Sequence, residues 1–301
     1  MKMSKSVSMI CALITTFIWG TAFIAQDTGM DNIGPLTFNF SRFVVGFITI
    51  LPIALIFEKK KIVREISLNS KLFYKYLIFM GVSLFLGTFL QQASLQYTNI
   101  ANAAFFTVFY VPLVPILLFF IYSSKVHWSI WPSIGLCVFG VYLLSDFSNS
   151  EVMLGDALVI LCSLFWALHI IYAGKFMETF DIPIFYAALQ ALFVATLSFL
   201  FSYLFEEINL SNILLESGSI IYAGVFSGGI AFTLQIYAQK KISPAPSAII
   251  FSLEGVFAAI AAWIILDQVL GLNNLIGCFF ILVGVIISQI LPEMKMSKSK
   301  Q

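Results

Sequence analysis

The sequence predicts an all-α integral membrane protein: ten transmembrane helices as two inverted five-helix repeats, with both termini cytoplasmic. Three observations carry this prediction. The 301 residues are 60% hydrophobic and 10% charged, against roughly 45–50% and about 25% in soluble domains. The apolar residues gather into stretches of about the 20 residues that a helix needs to cross hydrocarbon. Apart from Arg42, Lys and Arg fall only at the two ends and on alternate connections. The chain has too few polar groups to cover its apolar surface in water.

The first stretch, 7–26, follows Lys2 and Lys5. Those charges could open a secretory signal, but the run is long enough to span and no small-x-small cleavage pattern follows it. It is expected to be the first membrane helix. The others cover 34–57, 72–94, 100–122, 128–145, 156–175, 183–204, 218–238, 245–266 and 272–292. Continuous apolarity without alternation selects helices over barrel strands. Short connections leave no room for a separate soluble domain.

Charge sets the direction. Basic residues occupy the N-terminus, the 2–3 connection (Lys59, Lys60, Lys61, Arg64, Lys71, Lys75), the 4–5 connection (Lys125), the ends of segments 6 and 8 (Lys175, Lys240, Lys241) and the tail (Lys295, Lys298, Lys300). The opposite connections carry Asp27, Asp31, Asp146, Glu151, Asp156, Glu206, Glu207, Glu216 and Asp267 with no Lys or Arg. By the positive-inside rule both termini face the cytoplasm. The expected location is the plasma (inner) membrane of a prokaryote.

The chain also reads as duplicated, with halves 1–146 and 147–292 and a tail at 293–301. Trp19 and Trp166 are 147 residues apart, and Gly140-Val141 matches Gly284-Val285 at 144. Segments 4 and 9 both start rich in alanine, at Ala101-Asn102-Ala103-Ala104 and Pro244-Ala245-Pro246-Ser247-Ala248. Five helices per half is an odd number, so the second half lies inverted relative to the first.

Several motifs then resemble a family: Trp19-Gly20-Thr21-Ala22-Phe23, Arg42-Phe43, Tyr97-Thr98 with Ala101, and Leu253-Glu254-Gly255-Val256 followed by Asp267. Together they resemble the EamA-type ten-helix carriers of the drug/metabolite transporter superfamily, over essentially the whole chain. Gly255 departs from the family's usual proline, so a proline kink beside Glu254 is not implied. The resemblance implies a secondary carrier or exporter of small metabolites, with a central cavity lined by helices 1, 3, 4, 6, 8 and 9.

Two ionisable residues lie deep in apolar segments, where charge costs about 2.5–3.5 kcal/mol on insertion scales. Arg42 is about 12 Å from the outer end of helix 2, and Glu254 about 13 Å from the inner end of helix 9, at 1.5 Å per residue. Arg42 either takes an anionic group or pins helices through carbonyls or Glu254. For Glu254, a structural pin, proton coupling and direct substrate contact all stay open. Trp166, His169 and Tyr172 share a helical face that reads either as an aromatic cavity wall or as packing. Trp19, with Thr16 and Phe23 on its face, is the counterpart.

The amides Gln91, Gln92, Asn102, Gln190 and Gln235 read first as interhelical glue. The family's cavity helices bring Gln91, Gln92 and Gln235 forward. Tyr110 falls near the position that pairs with Glu254 in the other half. The expected substrate-cavity set is therefore Trp19, Gln91, Gln92, Tyr110, Trp166, His169, Gln235 and Glu254, with Arg42 and Glu254 as coupling or pinning residues. Gly224, Gly228 and Gly229 allow close helix approach, and Pro112 and Pro115 should bend helix 4.

No HExxH, GxSxG or phosphate-cradling glycine motif occurs, which speaks against an enzyme or an ATP-driven pump. Cys11, Cys137, Cys162 and Cys278 all lie in apolar segments with no metal-ligand spacing. The reading expects no cofactor, no metal and no nucleic acid. It expects a small-molecule substrate, the lipid bilayer as surroundings, and a monomer or weak homodimer. The alternative is a channel-like facilitator. The aromatic content tilts the substrate towards amino acids or other amphipathic aromatic solutes.

Overall fold

A computed structural model describes residues 4–98, 100–144, 154–265 and 271–298. Asp146, Glu151, Asp267, the side chain of Asn102 and the end residues 1–3 and 299–301 lie outside the described residues. The described structure is all helix: α1 (Lys5–Thr28), α2 (Pro35–Phe57), α3 (Lys59–Leu68), α4 (Ser70–Ser94), α5 (Ile100–Thr107), α6 (Tyr110–Tyr122), α7 (Ile130–Leu144), α8 (Leu154–Thr179), α9 (Pro183–Phe205), α10 (Leu210–Leu215), α11 (Ser217–Tyr222), α12 (Phe232–Ala238), α13 (Pro244–Phe251), α14 (Leu253–Ile265) and α15 (Leu272–Lys298). A π-helical stretch, Ala223–Ala231, joins α11 to α12. Seven helices or continuous helical runs are long and apolar enough to cross a membrane, and three shorter apolar helices accompany them. Large apolar side chains such as Ile56, Phe120 and Tyr203 are about three-quarters exposed, as a lipid-facing surface requires.

Two of the predicted helices are split. Segment 4 breaks between α5 and α6, just before Pro112, whose missing N–H leaves the carbonyl of Val108 without its helical donor. Val111 N bonds that carbonyl instead, at 2.8 Å. Segment 9 breaks at Ser252 without any proline: Gly255 N reaches only to the Ser252 carbonyl (3.3 Å), and the Ser252 hydroxyl donates to Ile249 O at 2.7 Å. The absence of the family's proline thus does not straighten this helix.

Helices α2 and α9 form an antiparallel pair whose ends cap each other. Glu206, after α9, accepts from Leu36 N (2.9 Å) and Thr37 N (2.8 Å) at the start of α2. Glu58, after α2, accepts from Ile184 N (3.2 Å) and Phe185 N (2.8 Å) at the start of α9. Each carboxylate meets otherwise unpaired N–H groups and the positive end of a helix dipole. The three paired positions, 58/206, 36/184 and 37/185, are each 148 residues apart.

Glycines set the remaining close crossings. A Cβ on Gly224 would stand 2.6 Å from the Val45 Cβ, and one on Gly46 3.0 Å from the Gly224 carbonyl. Helix α2 therefore lies directly against the π-helical stretch. In α7 and α15, a Cβ on Gly140 would meet Gly277 O and Ile281, and one on Gly284 would meet Ser133 O and Cys137. Those contacts are reciprocal at an offset of 144.

Candidate functional site

Between these helices lies a central cavity lined by Trp19, Phe23, Gln26, Arg42, Thr88, Gln91, Thr107, Tyr110, Trp166, Ile170, Ser227, Phe232 and Glu254. Its walls come from helices 1, 3, 4, 6, 8 and 9, as the resemblance implied, with helix 2 added through Arg42. The space open to the centres of water molecules is about 30 Å³, room for about two waters. A metabolite fits only if the walls part.

One side of the cavity is closed by aromatics. The Trp19 ring lies 5.2 Å from Phe232, 5.6 Å from Phe251 and 6.0 Å from Trp166, centroid to centroid. Trp166 stacks on Phe232 with planes 7° apart. This floor faces the end of the molecule that bears Lys61 and Lys240. The buried Trp19 indole N–H has no partner among the described residues, which leaves a donor at the cavity.

Above the floor stand two ionisable groups. Glu254, 5% exposed, lies in the first turn of α14, where the helix end favours a carboxylate. Its Oε1 accepts from the Tyr110 hydroxyl at 3.2 Å. Arg42, 3% exposed, donates from Nε to Asn39 Oδ1 and from Nη1 to Gln26 Oε1, both at 2.8 Å. Phe38 and Phe43 present ring faces to its guanidinium at 5.6 and 5.0 Å. Among the described residues no carboxylate lies within ion-pair distance of Arg42, and no Lys or Arg within that distance of Glu254. The Arg42–Glu254 pairing, one of the alternatives the sequence left open, does not form, because amides and rings already surround the guanidinium.

Of the predicted cavity residues, Trp19, Gln91, Tyr110, Trp166 and Glu254 line the wall, and Arg42 joins them. Gln92, His169 and Gln235 do not. Gln92 follows Gln91 by one residue, so the two point about 100° apart on α4. Gln91 Nε2 reaches Thr107 Oγ1 (3.1 Å), while Gln92 Nε2 donates to Gln26 O (2.7 Å) and so anchors the turn that holds Arg42. His169 and Gln235 sit beneath the floor, bonded to each other at 3.4 Å. Tyr172 leaves the stripe altogether and stacks on Phe79 at 5.2 Å.

Gln26, Phe23, Thr88, Thr107, Ile170, Ser227 and Phe232 are wall residues absent from the expected set. Asn39 lies three residues before Arg42 on the same helical face, and that spacing was the available signal for the amide cradle. Phe232 could not be told from the other phenylalanines, of which the chain has 32.

A family profile for EamA-like transporters matches the chain twice, over residues 6–146 and 153–289. The chain belongs to the EamA-like transporter family. Among similar proteins, an uncharacterized transporter of Archaeoglobus fulgidus is 28% identical over 277 residues, spanning 91% of this chain and 83% of that protein. The uncharacterized transporter YoaV of Bacillus subtilis is 21% identical over 287 residues, spanning 92% and 94%. A solved crystal structure matches with a TM-score of 0.76 at 16% identity, covering 96% of this chain and 98% of that one, which speaks to fold alone. This EamA-like protein is accordingly a multi-pass transmembrane transporter.

Proposed function

We propose that this EamA-like protein is a secondary transporter for a small zwitterionic solute, amino-acid-like or amphipathic and aromatic. It acts by alternating access between two inverted halves of five helices, 1–146 and 147–292. In this reading the lysine-bearing end faces the cytoplasm of a prokaryote, and the resemblance favours export.

The observation that carries the substrate class is a guanidinium and a carboxylate lining one cavity, neither paired with the other. The backbone of Glu254 lies against Gly20 and Arg42 bonds Gln26, which sets both ionisable groups beside α1 in one cavity. Trp19, Trp166 and Phe232 supply an apolar surface for the solute's side chain. The reciprocal caps of Glu58 and Glu206 support the inverted arrangement.

The test is uptake by proteoliposomes of labelled phenylalanine, tryptophan, leucine and threonine, compared with phenethylamine and phenylpropionate. The zwitterions should be taken up and the one-ended analogues should not. Uptake of neither class, with no thermal stabilisation by any member, overturns the substrate class.

A further inference from the structure

Beneath the aromatic floor lies a second polar group that the cavity does not use. His169, Gln190 and Gln235 are each 1% exposed or less. His169 Nε2 meets Gln190 Oε1 at 3.1 Å, and Gln235 Nε2 meets His169 Nδ1 at 3.4 Å. Gln190 Oε1 accepts from His169 Nε2, so the imidazole carries its proton there and Nδ1 is free to accept from Gln235. That leaves Gln190 Nε2 and Gln235 Oε1 without partners among the described residues. A dry core gives no reason for one unmet donor and one unmet acceptor on the two amides that flank a single imidazole.

Sequence offsets give one. Gln190 stands 148 residues after Arg42, the offset of the Glu58/Glu206 reciprocal caps on the same two helices. Gln235 stands 144 after Gln91, the offset at which Tyr110 meets Glu254. Gln190 is therefore what the second half places at the position of Arg42, on the other side of the floor.

We infer that His169, Gln190 and Gln235 form a second solute-contacting subsite, the polar wall of the cavity when the protein opens towards its lysine-bearing end. This inference rests on the two-halves reading above. In the open form the free Gln190 N–H offers a hydrogen bond to a solute carboxylate that has left Arg42. The subsite carries no fixed cation where its counterpart carries Arg42, so it holds an anionic group more weakly. Gln239, bonded to Gln235 at 3.4 Å and to Ile170 O at 2.7 Å, is the next polar group towards that end.

The test uses the full-length protein in oriented membrane vesicles, with its four cysteines replaced by serine. Gln190→Cys, Gln235→Cys and, as a cavity control, Thr88→Cys are exposed to a membrane-impermeant methanethiosulfonate. Gln190→Cys and Gln235→Cys should react from the lysine-bearing face only, and Thr88→Cys from the opposite face only. Reaction of Thr88→Cys alone overturns the inference and leaves the carrier reading standing. Reaction at none of the three overturns both. In the unsubstituted protein, diethyl pyrocarbonate should acylate His169 as well as His127, by peptide mass mapping. Acylation of His127 alone contradicts the inference even if the cysteine variants misfold.

Discussion

Tyr110 and Glu254 stand 144 residues apart in sequence and 3.2 Å apart in space, each at the start of the second piece of a split helix. Residues related by an approximate two-fold axis meet their own counterparts where they lie on that axis. Cys137 and Ile281 do the same at the same offset, through Cys137 Sγ and Ile281 O at 3.9 Å. Two glutamates at the 110/254 contact would repel. A phenol opposite the acid turns that repulsion into a hydrogen bond, so two positions 144 residues apart meet with different chemistry.

Removing either partner of this contact should separate fold from function. Tyr110→Phe leaves the buried carboxylate without its donor, which costs about 1–3 kcal/mol and should lower the melting temperature. Glu254→Gln keeps an acceptor for Tyr110 and should melt close to the wild type. It should weaken phenylalanine binding about 10- to 100-fold, since a charge-assisted hydrogen bond is worth about 1.5–3 kcal/mol. Melting curves with and without phenylalanine read both effects.

Gly20 should tolerate no side chain. A Cβ there would sit 2.7 Å from Glu254 O and 2.8 Å from Ala258 N, backbone atoms that cannot swing aside. Gly20→Ala should therefore force α1 from α14 and cost about 1–3 kcal/mol. Gly87→Ala is the contrast, because its nearest contacts are Trp166 ring atoms at 3.5 Å. Thermal unfolding should show a clear loss for the first and little or none for the second.

The two reciprocal caps should contribute independently. Glu58→Ala and Glu206→Ala each leave two helix-terminal N–H groups unmet and should cost about 0.5–2 kcal/mol. They act at opposite ends of α2 and α9, so the double variant should show the sum within about 0.5 kcal/mol. Unfolding of the two single variants and the double variant checks this.

At the lysine-bearing end Asp181 bonds both Lys61 (2.6 Å) and Lys240. Partial burial alone would raise its pKa, but the two ammonium groups outweigh that and hold the carboxyl below its ordinary range. A lowered pKa in the folded state means stability that is present above the ordinary value of about 3.9 and is lost as pH falls through the folded one. Asp181→Asn should cost no more than about 1 kcal/mol at neutral pH, because the cluster is well exposed. Added salt should shrink the difference. Melting temperatures of wild type and variant should converge only in acid below the ordinary carboxylate range.

Much of this was legible in the sequence, for a reason that also sets its bounds. Spans follow from length and apolarity, and seven helices or helical runs are long and apolar enough to cross a membrane, beside three shorter apolar helices and splits at Val108–Phe109 and Ser252. The cost of intramembrane charge singled out Arg42 and Glu254 before any contact was known. Which neighbour a side chain faces was not legible. Gln91 and Gln92 are chemically identical and adjacent, and only packing puts one at the cavity and the other on Gln26 O. The capping role of Glu58 and Glu206 was not legible either, because it depends on the far end of another helix.

The measurement closest to the central claim is counterflow in proteoliposomes carrying the wild-type protein. A carrier with one cavity and alternating access must return through its other face, so unlabelled phenylalanine inside should accelerate entry of labelled phenylalanine severalfold. Arg42→Gln and Glu254→Gln should abolish the acceleration. Equal entry with and without internal phenylalanine would contradict the account and show an open pathway instead.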